Sequence, residues 1–322
     1  MSNNNILSFK NPSLEKLNLI IISIFPISLL VGTLVSNFLI ILICLIFIIE
    51  KRKEIMFFFK NKYICYLLLI YFYLLFNSVF IAQNLDSFIR SVGFIRYIIL
   101  VIVLSEYFFS KSKIYSEFII RMWSLILLIV TIDLLIEYFK GKNILGFQSN
   151  YSGRLASFTS DELRIGGFYF GFIIFTLSLI YEKFKNEYFF FVFFTFFLFI
   201  SLIIGERANF IKFFFLFLTI FFIFSLKNKK KFFINLILLS SLIILLIKFY
   251  PKNFNTTFYS KIKSYDIFHL LNYDKKDPFK LDKIIDNQRH FKHYIVAYNI
   301  FQKNILFGIG IKNFRYESHK EE

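Results

Sequence analysis

The chain has 322 residues, of which 57% are hydrophobic and 50 are Phe, and its formal net charge is +17. Apolar runs long enough to cross a bilayer as helices recur along most of its length, which indicates a polytopic membrane protein rather than a soluble one. Because these runs separate the basic residues from one another, the positive charge argues against a nucleic-acid-binding protein.

The apolar runs predict an all-α polytopic membrane protein with about nine transmembrane helices. The predicted spans cover residues 17–34, 35–49, 63–82, 92–109, 118–139, 166–181, 188–204, 209–226 and 232–250. A tight region around Gly32 and Asn37 separates the first two spans. Cys44 and Cys65 fall inside apolar runs and their spacing matches no metal site, so no bound metal is predicted.

The orientation follows from the Lys and Arg residues in the short loops. One set of loops carries fifteen of them, whereas the opposite set carries six: Arg90, Lys140, Lys142, Arg154, Arg164 and Arg207. Cytoplasmic loops collect positive charge, so the N-terminus is predicted to be cytoplasmic. Residues 1–250 would then form the transmembrane domain, and residues 251–322 an extracytoplasmic loop region.

The loop region is polar, charged and rich in Tyr. Residues 289–305 have helical periodicity, with one apolar face formed by Phe291, Tyr294, Ile295, Tyr298, Phe301 and Ile305. This pattern predicts an amphipathic helix at the membrane interface, ending at Gly308-Ile309-Gly310. A long outer loop without a returning helix is unusual, so further helices are expected beyond residue 322.

The arginines are distributed against the usual rule. Seven of the nine fall on or near the predicted outer face, namely Arg90, Arg96, Arg154, Arg164, Arg207, Arg289 and Arg315. Since arginine is the side chain best suited to phosphate, this distribution suggests an outer site for an anionic ligand.

Charged residues inside predicted spans are costly and are usually paired or functional. Arg96 lies in the fourth span, and Asp133 and Glu137 lie four residues apart near the outer end of the fifth. They could form a structural ion pair, or they could line a polar cavity open to the outer face, and the two hypotheses are compatible. Arg90 and Arg96 would extend the basic lining of such a cavity.

Two short polar segments separate very apolar spans. Gly205-Glu206-Arg207 leaves room only for a tight turn, so Arg207 could either extend its side chain to the interface or bind an anion. The segment 154–164 begins and ends with arginine, contains Asp161 and Glu162, and precedes Gly166-Gly167. It could be a solvated hairpin, or it could supply phosphate contacts and a carboxylate base.

Three blocks of the chain together resemble the O-antigen ligase/polymerase family of bacterial membrane glycosyltransferases. The first is Arg-Leu-Ala-Ser-Phe at 154–158, followed by Asp-Glu-Leu at 161–163 and the paired glycines. The second is Gly-Glu-Arg-Ala at 205–208, opening a helix. The third runs from Arg289 through the amphipathic helix to Phe-Gly-Ile-Gly-Ile-Lys-Asn-Phe at 307–314. The resemblance spans about residues 15–315.

The resemblance implies an enzyme of the bacterial inner membrane with its active site on the periplasmic side. Such enzymes transfer a glycan from undecaprenyl diphosphate to an acceptor hydroxyl. The acceptor is a second lipid-linked glycan in a polymerase, and the lipid A core of lipopolysaccharide in a ligase. No metal, nucleotide or other cofactor is expected.

The resemblance also implies roles for particular residues. Arg207 and Arg289 are expected to contact the diphosphate, with Arg154 and Arg164 next, and Glu162 is the candidate base for the acceptor hydroxyl. Two other hypotheses stay open. A lipid-linked oligosaccharide flippase would need polar residues at the bilayer midplane, and a non-catalytic membrane scaffold would tolerate replacement of each outer arginine.

Overall fold

A computed structural model describes residues 12–110, 113–150, 153–159, 164–225 and 289–321. Within these ranges the chain is helical and contains no β-strand, as the sequence predicts. The helices are α1 (Pro12–Val31), α2 (Thr33–Glu50), α3 (Ile55–Phe58), α4 (Lys62–Asn77), α5 (Leu85–Gly93), α6 (Ile95–Ser105), α7 (Lys113–Lys140), α8 (Ile165–Phe184), α9 (Glu187–Ile203), α10 (Arg207–Ser225), α11 (Arg289–Lys303) and α12 (Phe314–Glu321).

Six helical segments among the described residues are long and apolar enough to cross a membrane. They are Ser13–Val31, Thr33–Glu50, Lys62–Ala82, Leu85–Phe109, Lys113–Lys140 and Ile165–Phe184. The seventh and eighth predicted spans correspond to shorter apolar helices, Phe189–Ile204 and Ala208–Phe224. The ninth, 232–250, lies outside the described residues. These helices are compatible with a multi-pass membrane protein.

The fourth span begins earlier than predicted, at Leu85 rather than at residue 92. The Asn84 side chain accepts a hydrogen bond from the Asp86 amide at 2.9 Å and thereby caps the start of α5. The prediction that Arg90 lies in a loop is therefore wrong, because Arg90 occupies the last turn of α5. The apolar run alone did not reveal this polar, capped first turn.

The described chain divides into two compact units. The first unit contains residues 40–106 and, from the C-terminal part, 289–321. In it, Lys51 Nζ lies 2.8 Å from Glu54 Oε2 and 3.7 Å from Glu106 Oε1. Burial lowers the pKa of Lys51, but the hydrogen bond to Glu54 and the neighbouring negative charges outweigh burial and leave the pKa raised. The Lys51–Glu106 contact brings together the ends of two spans that were predicted to face the cytoplasm.

The predicted amphipathic helix is present in the first unit as α11. Tyr294, Tyr298 and Phe301 from its predicted apolar face are exposed, whereas Ile300 is buried. After α11, the Phe307 carbonyl oxygen accepts hydrogen bonds from Tyr73 Oη at 2.7 Å and from Asn77 Nδ2. An exposed apolar face is what an interfacial helix presents to lipid.

The segment 307–316 packs onto the turn that follows α4. Tyr316 Oη donates a hydrogen bond to Asp86 Oδ2 at 3.2 Å. Gly310 has a φ of +90°, and a Cβ atom there would lie 2.7 Å from both Ala82 Cβ and Asn77 Oδ1. Position 310 therefore requires glycine for two reasons, its positive φ and its close approach to Ala82 and Asn77.

Gly310→Ala is expected to loosen the 307–316 segment by about 2 kcal/mol, because the added methyl group must push the segment off the turn. Gly308→Ala is the matched control, since Gly308 also has a positive φ, +63°, but a Cβ there meets nothing within 4 Å. Amide hydrogen exchange in residues 307–316 should be faster in Gly310→Ala than in Gly308→Ala. Equal exchange in the two variants would contradict the packing.

The second unit contains α1 and the helices from α7 to α10. Trp123, the only Trp of the chain, lies at its centre. Its indole Nε1 donates to the Ile22 carbonyl oxygen at 2.9 Å, and its ring stands edge-on to Phe172 and Phe175. Lys113 Nζ lies 3.0 Å from Glu182 Oε1, which brings together the start of α7 and the end of α8. This agrees with the predicted alternation of spans.

Candidate functional site

Two of the three segments that carry the family resemblance meet within the second unit. The Leu155 amide donates a hydrogen bond to the Ile204 carbonyl oxygen at 3.2 Å. Gly205 has a φ of +80°, and a Cβ atom there would fall on the Gly153 carbonyl oxygen and 3.3 Å from the Arg154 Cα atom. The 153–159 loop and the 204–207 turn are therefore in direct backbone contact at the end of the unit predicted to face outward.

The buried carboxylates of α7 hold this loop in place. Asp133 and Glu137 are almost fully buried. Asp133 accepts hydrogen bonds from the Ile144 amide at 2.8 Å and from Ser157 Oγ at 2.6 Å. Glu137 accepts from the Ser157 amide at 2.7 Å and from the Ala156 amide at 3.1 Å. The buried carboxyl oxygens are thus paired with several hydrogen-bond donors rather than left without partners.

The segment that precedes the loop is tied to the same point. Asn143 Nδ2 donates to the Ser157 carbonyl oxygen at 2.7 Å, and Asn143 Oδ1 accepts from the Phe147 amide at 2.7 Å. Ser157, which has a φ of +49°, is thus bonded through its amide, its hydroxyl and its carbonyl. Three bonded groups on one residue fix the backbone that follows Arg154.

Asp133 and Glu137 thus bind the loop that carries Arg154. Arg96, which was proposed to pair with them, belongs to the first unit, where its guanidinium lies over the Tyr97 ring at 4.9 Å and Nη2 donates to Tyr97 Oη at 3.2 Å. Its buried Nε has no hydrogen-bond partner among the described residues. The pairing of Arg96 with either carboxylate, and their shared lining of a cavity, stay predictions.

The sequence-predicted arginines and Glu162 lie at several separate places in the chain. Arg154 is half-buried in the loop, and Arg164 is exposed directly before α8. Arg207 and Arg289 are the first residues of α10 and α11, but their side chains are outside the described part. Glu162 also lies outside the described residues, so its role as a base stays a prediction. Arg289 and two further predicted residues, Arg90 and Arg96, belong to the first unit.

Glu206 is a site residue to which the sequence analysis assigned no role. Its carboxylate accepts a hydrogen bond from the Gly166 amide at 3.0 Å and another from Asn209 Nδ2 at 2.6 Å. It therefore links the first turn of α8 to the first turn of α10. The sequence did contain one signal for this role. Glu206 lies in a tight turn, three residues before Asn209 on the helix that follows.

The described residues contain no group of three or more His, Cys, Asp or Glu side chains that could hold a metal ion. The expectation of a reaction without metal or cofactor remains a prediction. The fold and the site thus define an all-helical protein with several potential membrane spans and a well-anchored loop between α7 and α8. No protein-family model, no curated protein and no solved structure matches the chain.

Proposed function

We propose that the protein is a membrane glycosyltransferase that transfers a glycan from undecaprenyl diphosphate to an acceptor hydroxyl. In this proposal the chain spans a bacterial inner membrane nine times, and the site faces the periplasm. The observation that carries the proposal is the backbone contact between the Arg154 loop and the turn before Arg207. The contact joins two arginine-bearing segments, both of which resemble blocks of one enzyme family.

The proposed reaction is a displacement at the anomeric carbon of the donor sugar. The acceptor oxygen forms a bond to this carbon, the bond to the diphosphate oxygen breaks, and undecaprenyl diphosphate leaves with the electron pair. Arg154, Arg164 and Arg207 would stabilise the charge that develops on the diphosphate. The diphosphate contact expected of Arg289, which belongs to the first unit, stays a prediction from the resemblance. Glu162 would take the proton of the acceptor hydroxyl.

Arg207→Ala is expected to reduce surface polysaccharide by about a hundredfold or more, because one of the proposed donors to the developing charge is lost. Arg207→Lys should recover only part of the activity, since an ammonium group cannot form the paired contacts of a guanidinium. Polysaccharide banding on a gel, with immunoblotting for protein level, measures the effect.

Arg121→Ala is the matched control for Arg207→Ala. Arg121 is an exposed arginine near the predicted inner end of α7, where it pairs with Glu117 at 3.2 Å, and its loss should leave the polysaccharide unchanged. Normal polysaccharide banding in Arg207→Ala at a normal protein level would contradict the proposed glycosyltransferase function and favour a non-catalytic membrane scaffold. In a deletion strain, long unligated lipid-linked chains would indicate a ligase, and single repeat units would indicate a polymerase.

A further inference from the structure

The side chain of Glu206, in the turn before α10, lies unusually close to Gly166 in the first turn of α8. A Cβ atom at position 166 would lie 2.5–2.9 Å from three atoms of the Glu206 side chain. Only glycine leaves the carboxylate room to reach the main-chain amide behind it. Gly171, in the same helix, has no such neighbour, because a Cβ there meets nothing within 4 Å.

A carboxylate is chemically suited to this place. The first amides of a helix have no partner within the helix, and the N-terminal end of the helix dipole favours negative charge. Glu206 satisfies one such amide of α8 with one oxygen, while its other oxygen accepts from Asn209. Hydrogen bonds to a charged acceptor are stronger than those between neutral groups. The bridge is therefore strong enough to fix the distance between the two helix starts.

Arginines flank both ends of this bridge. Arg164 stands directly before α8, two residues ahead of Gly166, and Arg207 directly follows Glu206 as the first residue of α10. On the other side of the turn, Gly205 packs against the Arg154 backbone. A shift of the Glu206 carboxylate would change the separation between the two helix starts and hence between these arginines.

We propose that Glu206 is a positioning residue that sets the spacing of Arg164 and Arg207 so that both can bind one diphosphate. The inference rests on the proposed function and deepens it. In this inference the hydrogen bond between Glu206 and Gly166 determines the preference of the protein for a diphosphate over a monophosphate. Glu206 acts through its neighbours and does not take part in proton transfer.

The test uses the full chain in nanodiscs, with undecaprenyl diphosphate and undecaprenyl monophosphate as probes. Glu206→Ala should weaken diphosphate binding at least tenfold and monophosphate binding much less, because only the diphosphate needs both arginines at a fixed spacing. Glu206→Gln keeps an acceptor for the Gly166 amide, so it should bind the diphosphate within about threefold of wild type, which corresponds to about 0.7 kcal/mol.

Gly166→Ala provides an independent variant that leaves Glu206 intact but displaces its carboxylate. It should lose diphosphate selectivity as Glu206→Ala does, whereas Gly171→Ala should behave as wild type. Hydrogen exchange in residues 164–170 without ligand reports on the bridge itself and should be faster in Glu206→Ala and in Gly166→Ala than in wild type.

Equal weakening of both probes in Glu206→Ala would overturn the positioning role and leave a merely structural one. Loss of glycan transfer in Glu206→Gln with binding intact would also overturn it, since the carboxylate would then be a proton acceptor. Hydrogen exchange in residues 164–170 could rise as expected while the wild-type chain shows no preference for the diphosphate. That result would contradict the proposed function and would leave the Glu206–Gly166 hydrogen bond as a structural contact only.

Discussion

Glu137→Ala is expected to lower the free energy of unfolding of the second unit by about 3 kcal/mol, because it leaves the Ala156 and Ser157 amides buried without an acceptor. Ser157 would also lose one of the three bonds that fix it. Since Ser157 is three residues from Arg154, the loop should become mobile before the helices separate. The fluorescence of the single, buried Trp123, which lies on the same helix, reports global unfolding in detergent.

Two variants test the origin of the Glu137 effect. Glu137→Gln keeps one oxygen acceptor but places an amide group beside a main-chain amide. Its free energy of unfolding should therefore lie between that of wild type and that of Glu137→Ala. Glu182→Ala removes an exposed carboxylate of the same unit, which pairs with Lys113, and should change the stability little. If Glu137→Ala unfolds at the same denaturant concentration as Glu182→Ala, the anchoring of the loop by α7 is wrong.

The helical architecture was accessible from the sequence because the bilayer imposes a simple rule. A chain that crosses hydrocarbon must satisfy its backbone internally and must present about 20 apolar residues. Residues 12–110 illustrate this, since each predicted span there corresponds to a helix. The start of α5 was missed because a polar first turn with an Asn84 cap has no apolar signal.

The partners of the buried carboxylates were not accessible in the same way. The spacing of Asp133 and Glu137 correctly placed them on one helix face, but their bonds go largely to main-chain amides. Every residue except proline carries such an amide, so the sequence offers nothing that would distinguish Ala156 or Ser157 as a partner. The same reason concealed the bond from Gly166 to Glu206.

Glycines show most clearly what the sequence leaves undetermined. Gly146 and Gly205 have similar φ angles, +84° and +80°, and neither can be ranked above the other by its neighbours in the sequence. In the folded chain a Cβ at position 146 meets nothing within 4 Å, whereas one at position 205 meets the Gly153 and Arg154 backbone. The difference arises from a contact between segments about fifty residues apart, which no local pattern encodes.

Gly205→Ala is accordingly expected to reduce the proposed glycan transfer by about a hundredfold, because a displacement of about 1 Å between positioning groups can cost that much. The added methyl group must separate the turn before Arg207 from the Arg154 loop, and no flexible side chain can yield in its place, since its nearest obstacle is the Gly153 carbonyl oxygen. Overpacking of this kind also costs about 1–3 kcal/mol of stability.

Gly146→Ala separates this contact from backbone strain. Both variants place an alanine at a positive φ, which costs each of them about 1 kcal/mol, so the difference between them isolates the contact with the Arg154 loop. In Gly146→Ala surface polysaccharide should be near wild type and the denaturant midpoint from Trp123 fluorescence only modestly lowered, whereas both should be clearly reduced in Gly205→Ala. If the two variants behave alike, the contact between the two arginine-bearing segments does not determine activity. That contact would then no longer support the proposed function.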